Sequence, residues 1–368
     1  MIPGRIDRVP AGDRRWPELL ARVRHDVYHS SEYHLAPRIG SGGEPYLFAY
    51  QEGDQVFLWP YLLTPIDPSP LHRTEAFDVT SVYGYAGPVA SGDAAFLERG
   101  WRALLEHWRE QRVVSAFTRF HPLLGNSRLC ESLAGSSGLR CEGGLRLSGS
   151  TVSIDLTLPS AVQVRQYQKV LRQEIRKSHE LGFVTQEDDQ WLHSADFVHL
   201  YRETMTRRKG RSEYLINAAW LTCFREALAC HVRLFVTKFE GVVAAALLAL
   251  EYGPFLHAHL TGINAELVAH SPLKVLLDDV REWGTARGLQ AFHLGGGLGG
   301  REDSLFQFKH RFSPLVHEFQ IGCWILDPSH YRDLESIHRR EFAERGIDIG
   351  DPGFFPIYRY QPPVPSTK

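Results

Sequence analysis

An apolar run from Pro45 to Tyr50 breaks at Gln51-Glu-Gly-Asp-Gln55 and resumes from Val56 to Pro60. The figure returns in the second half: His231 to Phe239, a Glu240-Gly241 break, then Val242 to Ala246. Apolar strand, Glu-Gly turn and apolar strand predict a hairpin each time. A further strand, an amphipathic helix carrying a Trp and a short strand follow each hairpin. Trp108 with Trp283 and Phe117 with Phe292 stand at one common offset, so the pattern predicts a duplicated unit. We expect an α/β (α+β) protein of two tandem lobes, each a mixed twisted sheet flanked by helices, with ligands in a cleft between them.

The first lobe is assigned to residues 1–150. It holds a helix from Trp16 to Tyr28, the hairpin of Tyr46 to Leu63, a proline-rich loop from Thr64 to Arg73, and a helix from Phe96 to Glu110. Gly143 to Ser150 is small and polar and reads as a hinge. The second lobe, 151–329, opens with a strand, Thr151 to Leu156. One long helix, Ala161 to Leu181, stops at Gly182. Helices Ser194 to Arg208 and Ala218 to Ala229, the second hairpin, strand Phe255 to Leu260, helix Pro272 to Arg287, and strands Gln290 to Leu294 and Leu315 to Leu326 complete it. Residues 330–368 are expected to pack back on the first lobe.

At 368 residues, 43% hydrophobic and 23% charged, the chain suits two soluble domains. The apolar run Val242 to Leu250 is far shorter than the ~20 residues of a membrane span, so no integral membrane association is expected. The N-terminus lacks a hydrophobic signal, which predicts a cytoplasmic location. Five cysteines without a C-x-x-C pair predict free thiols and no thiolate metal site. A net charge of −2 excludes a globally basic nucleic-acid binder, though not a local basic patch.

Candidate chemistry lies mostly in the second lobe. Gly295-Gly-Gly-Leu-Gly-Gly300 matches G-x-G-x-x-G after a strand, but the βαβ unit of a dinucleotide site does not follow. Close backbone approach to a ligand or to another strand is the better reading for Gly295, Gly296 and Gly297. The short helix near Ser304 would aim its amides at an anion, and Lys309 sits on it among Phe306, Phe308 and Phe312. His257 and His259 share one strand face but bring no third ligand at a telling spacing, and His25 and His29, four apart on a helix or its end, lack the Glu of a zinc-protease motif, so no metal is assigned. Arg165, Lys169, Arg172 and Arg176 form one basic stripe on the long helix, and Arg207-Arg-Lys-Gly-Arg211 forms a second cluster. Both patterns fit phosphate binding, and both also fit solvated helix faces.

Asp78-Val-Thr-Ser-Val-Tyr-Gly-Tyr-Ala-Gly-Pro88, Arg172-Gln-Glu-Ile-Arg-Lys-Ser-His-Glu-Leu-Gly182, Tyr201-Arg-Glu-Thr-Met-Thr-Arg207, His293-Leu-Gly-Gly-Gly297 and Phe308-Lys-His-Arg-Phe312 stand in an order that resembles the FemAB-type branch of the GNAT superfamily, the non-ribosomal peptidyltransferases. The resemblance runs from Tyr46 to Trp324. It implies a doubled GNAT fold and transfer of an aminoacyl group from aminoacyl-tRNA, or an acyl group from coenzyme A, to an amine. The implied acceptors are a peptide, a peptidoglycan precursor, a natural-product intermediate or an amino sugar. It places Lys309 at the donor's terminal phosphate or the acceptor, and Tyr83, Arg207 and Arg208 toward the acceptor, with Tyr85 and Tyr214 as further substrate contacts. The coiled-coil insertion of some members is missing.

A CoA-binding lobe carries an R/Q-x-x-G-x-G/A loop whose amides cradle pyrophosphate. Here the segment Thr261 to Pro272 has one glycine, at the wrong end, and Glu266. Aminoacyl-tRNA is therefore the expected co-substrate, acyl-CoA the alternative, and no permanently bound cofactor is expected. Lys309 is assigned to anionic charge in the transition state, Asp78 to orienting or deprotonating the amine (or to capping a turn before Thr80), and His259 and His293 to proton relay. A protein that has lost catalysis and binds a nucleotide sugar or peptide remains the third reading. Oligomeric state is left open.

Overall fold

Both predicted hairpins form with two-residue turns that need left-handed backbone, at Gly53 in one and at Glu240 and Gly241 in the other. The computed structural model describes residues 4–40, 42–67, 75–131, 141–208, 210 and 214–362. They divide into one unit of Met1–His25, Ser41–Leu147 and Gln320–Lys368 and another of Asp26–Gly40 and Ser148–Phe319.

The first unit contains β1 (Arg5–Pro10), α1 (Arg15–Leu20), β2 (Glu44–Glu52), β3 (Gln55–Ile66), β4 (Ala76–Thr80), β5 (Val89–Ala90), α3 (Ala94–Glu110), β6 (Val113–Arg119), α4 (Arg128–Glu131), the end of β13 (Val316–Ile325) and α11 (Pro328–Glu344). Its strands lie in the order β1-β2-β3-β4-β6-β13, with β5 against β3, and only β4 and β6 pair in parallel. Helix α3 turns Phe96, Gly100, Leu104 and Trp108 to the sheet, as its spacing predicts. There Trp59, Trp101, Trp108, Phe120 and Trp324 form one aromatic core. Helix α11 and the turn Ile357–Arg359 cover β6 from the C-terminal side, through Tyr331, Leu334, Phe342 and Ile357.

The second unit contains α2 (Ser31–Leu35), most of β7 (Glu142–Asp155), α5 (Ser160–Gln166), α6 (Lys169–Glu180), β8 (Val184–Glu187), α7 (Ser194–Arg207), α8 (Ala218–Leu228), β9 (Val232–Phe239), β10 (Val242–Tyr252), β11 (Phe255–Ile263), α9 (Pro272–Ala286), β12 (Ala291–Gly296) and α10 (Ser304–His310). Strand order is β7-β12-β11-β10-β9-β8, and again a single pair, β11 with β12, is parallel. The core lies between this sheet and α6 and α9, with Leu171, Ile175, Leu276, Val280, Leu247 and Phe292 fully or nearly buried. Each unit thus runs hairpin, strand, Trp-bearing helix, parallel strand.

Three expectations change. The first helix ends at Leu20, because Asp26 caps a separate turn, Val27–His29, through its own side chain; His25 and His29 do not share a helix. The segment Gly143 to Ser150 is part of strand β7. A Cβ on Gly149 would lie 1.6 Å from the Gly300 carbonyl oxygen, so that glycine serves close backbone approach. The long helix breaks at Tyr167 and Gln168, which are extended. Tyr167 turns inward, donates to Asp278 at 2.8 Å and packs edge-on to Phe312, which stops α5 and restarts the chain as α6. Residues 68–73 of the proline-rich loop and 363–368 of the tail lie outside the described residues.

All five cysteines are free thiols. Among the described residues no helix is long and apolar enough to cross a membrane.

Candidate active site

Strands β11 and β12 pair over Phe255 with Ala291, Leu256 with Phe292 and His257 with His293, and then part. From Leu260 to Ile263, β11 stays with β10, while Gly295 and Gly296 of β12 follow β7. The result is a fork in the second unit with two histidines at its crotch. In the first unit the corresponding strands stay joined: Ser81 N–H donates to the Phe117 carbonyl, the Arg119 N–H to Ser81 Oγ, and Ala86 bridges Phe120. The duplicated architecture therefore has its open fork in the second copy.

Cationic groups stand at the tips of both arms. Lys309 on α10 donates to the carbonyl of Gly296, the last residue of β12, at 2.7 Å. Burial, with a smaller push from Arg208, brings its pKa down to about 8, against an opposing pull from Asp303. Arg207, at the end of α7, reaches the carbonyl of Ile263, the last residue of β11, at 3.5 Å. Helix α7 can lie so low on β11 because position 262 is glycine: a Cβ there would come within 2.6 Å of the Tyr201 backbone nitrogen. Thr204 Oγ1 accepts from Ile263 N at 3.0 Å and holds the helix in place. Tyr214 is tied to the same helix, its carbonyl accepting from Tyr201 OH at 2.9 Å.

At the crotch, His257 and His293 meet through their Nδ1 atoms at 3.4 Å, with rings nearly perpendicular. His259, farther along β11, is stacked on Phe224 at 5.6 Å and met edge-on by Tyr33. Burial, with His257 adding to it, holds its pKa at about 3. A base so weak does not suit proton relay near neutral pH, so the role expected for His259 is not supported; it is part of the aromatic packing.

Other expected roles shift. Asp78 lies buried on β4 in the first unit, accepting from Ser115 Oγ at 2.8 Å, Tyr358 OH at 2.6 Å and Arg359 Nε at 2.5 Å. Three donors on one carboxylate make a clamp on the C-terminal segment, and the turn-capping alternative is also not what forms. The glycine loop is closed on itself. Asp303 takes Leu298 N on one oxygen and Leu305 N and Phe306 N on the other, so the amides expected to face an anion are occupied, and Ser304 sits exposed beside them. On Gly297 a Cβ would meet the Arg301 carbonyl oxygen at 2.0 Å, so the loop has folded back rather than opened toward a ligand. Tyr83 and Tyr85 lie half-buried in the first unit, Tyr85 edge-on to His121. The basic stripe divides: exposed Arg165 belongs to α5, while exposed Lys169 and Arg176 and half-buried Arg172 belong to α6, Arg176 paired with Glu180 at 3.6 Å. Arg211 lies outside the described residues.

In the segment where a CoA pyrophosphate cradle would sit, between β11 and α9, six amides are engaged. Asn264 N donates to Ala244, Glu266 N to the Asn264 side chain, Leu267 N to Asn264, His270 N to Leu267, Ser271 N to Val268 and Lys274 N to Ser271. Pro272 at the first helical position has no N–H to offer. Helix α6 closes over this end, Ser178 Oγ donating to the His270 carbonyl at 3.2 Å and Glu174 pairing with Lys274 at 3.0 Å.

Residues 165–309 match the family described as Acetyltransferase (GNAT) domain. Among solved structures the chain is similar to FemX, at 12% identity and a TM-score of 0.59 over 78% of this chain and 89% of that one. It is similar also to the C-terminal domain of a putative lysylphosphatidylglycerol synthetase from Agrobacterium fabrum (14%, TM-score 0.51, 84% and 90% covered). A third is a conserved protein of unknown function from Bacteroides thetaiotaomicron VPI-5482 (11%, TM-score 0.51, 75% and 85%). No curated protein matches. At these identities the likeness is one of fold, and the fold is the FemAB-type GNAT arrangement that the sequence motifs resemble.

Proposed function

We propose that this chain, with its FemAB-type GNAT fold, is an N-acyltransferase that moves an aminoacyl group from aminoacyl-tRNA to an amine acceptor. The observation that carries the reading is the fork between β11 and β12, with Lys309 at one tip, Arg207 at the other and His293 at its crotch. The parting of the two strands leaves their ends to Lys309 and Arg207, and these cations suit a donor's phosphate or a developing oxyanion. The ester of an aminoacyl donor is already activated, so alignment of the two substrates accounts for much of the required rate. In this scheme the amine attacks the ester carbonyl, Lys309 offsets the negative charge that gathers on the carbonyl oxygen, and His293 accepts the amine proton.

The occupied amides between β11 and α9 favour this donor over acyl-CoA, since a pyrophosphate would have to displace hydrogen bonds already made. The acceptor carries a nucleophilic nitrogen, as in a peptide, a peptidoglycan precursor, a natural-product intermediate or an amino sugar. The test is to incubate the protein with charged tRNA and a panel of such amines, in parallel with acetyl-CoA, and to analyse products by mass spectrometry. Amide product from charged tRNA is expected. Product from the CoA ester alone would overturn the donor assignment, and loss of no activity in Lys309→Ala would overturn the site.

A further inference from the structure

Behind the histidine pair lies a third residue, Asp26, which is 231 positions from its partner in sequence. Its Oδ2 accepts from His257 Nε2 at 2.6 Å, and both side chains are shut off from solvent, at 0% and 1% exposure. The carboxylate cannot turn away. Its Oδ1 takes the Val27 N–H at 2.7 Å, and its own backbone N–H is held by His29 Nδ1 at 3.3 Å in a reciprocal cap. The His257 ring is steadied by Tyr28, edge-on at 5.1 Å. An acceptor-only carboxylate requires hydrogen on His257 Nε2. The neutral His257 ring then presents a lone pair at Nδ1, which faces His293 Nδ1 at 3.4 Å. That geometry requires hydrogen on His293 Nδ1 and leaves its Nε2 as the basic atom.

We infer that Asp26 and His257 are positioning residues that fix the tautomer of His293 and make its Nε2 the proton acceptor for the incoming amine. This rests on the acyl-transfer reading and adds its proton path. The amine nitrogen forms the C–N bond and its proton goes to His293 Nε2. The Nδ1 proton of His293 moves to His257 Nδ1, so the positive charge comes to rest beside the Asp26 carboxylate. As the ester C–O bond breaks, the proton returns by the same route to the departing ribose oxygen. No oxidant, metal or further reactant enters. The 3.4 Å contact is at the long end of hydrogen bonding, as such contacts often are before substrate binds.

The test uses full-length protein labelled with 15N-histidine and read by long-range 1H–15N correlation, with kinetics on the same samples. Wild type is expected to carry hydrogen on His257 Nε2 and His293 Nδ1. Asp26→Asn keeps an oxygen for the Val27 cap but offers an N–H to His257. Both tautomers should then invert, and kcat should fall by about 100-fold or more with KM little changed. Hydrogen on His293 Nε2 in wild type overturns the inference, as does full kcat in a folded Asp26→Asn variant. If Asp26→Asn does not fold, the wild-type tautomers still decide. If wild type forms no amide from any donor, the functional reading fails, while the tautomer pattern continues to report on the relay.

Discussion

Replacing Asp78 with alanine separates a clamp from a catalytic carboxylate. The side chain is 4% exposed and receives three hydrogen bonds, from Ser115, Tyr358 and Arg359. Bonds to a charged group contribute about 1.5–3 kcal/mol each, and Arg359 belongs at the low end because its side chain is 35% exposed. Asp78→Ala should therefore cost about 4.5 kcal/mol or more and Tyr358→Phe about 1.5 kcal/mol. The double variant should cost less than the sum of the two single ones, since both remove the Asp78–Tyr358 bond while Tyr358 OH also reaches Ser115 Oγ at 3.2 Å. Hydrogen exchange at the Ile357 amide, which is held by Tyr331 OH at 3.2 Å, reports release of the C-terminal segment, and urea unfolding gives the free energies. Turnover per folded molecule should stay within about twofold, because the clamp's partners, Ser115, Tyr358 and Arg359, are none of the residues that form the fork. Strict additivity of the two substitutions would refute the clamp. A 100-fold loss of turnover in folded Asp78→Ala would return Asp78 to the chemistry.

Lys309→Ala should lower amide formation by about 100-fold or more with the fold intact by circular dichroism. Because burial sets the Lys309 pKa at about 8, its charge is present below that pH and is lost above it; kcat/KM should decline as pH rises through about 8, and Lys309→Arg should remove that decline. Gly262→Ala should cost about 1–3 kcal/mol in urea unfolding and also reduce activity, since the new Cβ pushes α7, and with it Arg207, off β11. His34 and His259 are held neutral by burial, at about 4 and about 3, while in the unfolded chain they protonate near 6.5. The unfolded state thus binds more protons below 6.5, and stability should fall as pH drops from there toward 4; replacing both with Gln should flatten that slope in acid-unfolding curves.

The duplication was legible because its carriers are periodic: two hairpins, two Trp-bearing helices and the strands beside them. Element ends at Gly182 and Pro272 were legible for the same local reasons. The break at Tyr167 was not, since either a helix or a kink satisfies the spacing Tyr167, Leu171, Ile175, and the Asp278 hydroxyl partner that decides it is distant in sequence. Lys309 was named from its aromatic neighbours and the resemblance. His293 was named, but His257 was set aside as a strand histidine, and Asp26 was missed altogether. Its only local signal is an N-cap aspartate ahead of a short turn, which is common and carries no hint of a partner on β11. Asp78 and His259 failed for the opposite reason: residue type proposed chemistry, and three donors in one case and a shell of rings in the other removed it.

The segment Asp26–Gly40 belongs to the unit otherwise formed by Ser148–Phe319, though the chain on either side of it belongs to the other. Ancestral doubling alone would yield two self-sufficient halves that a gene could shed or exchange. Here a fragment starting at residue 148 would leave a buried imidazole facing no carboxylate and would lose the turn that seats Tyr28 against it. Deletion libraries and split-protein pairs should therefore tolerate no cut that parts residues 26–40 from the rest, so the two copies are bound to a common inheritance.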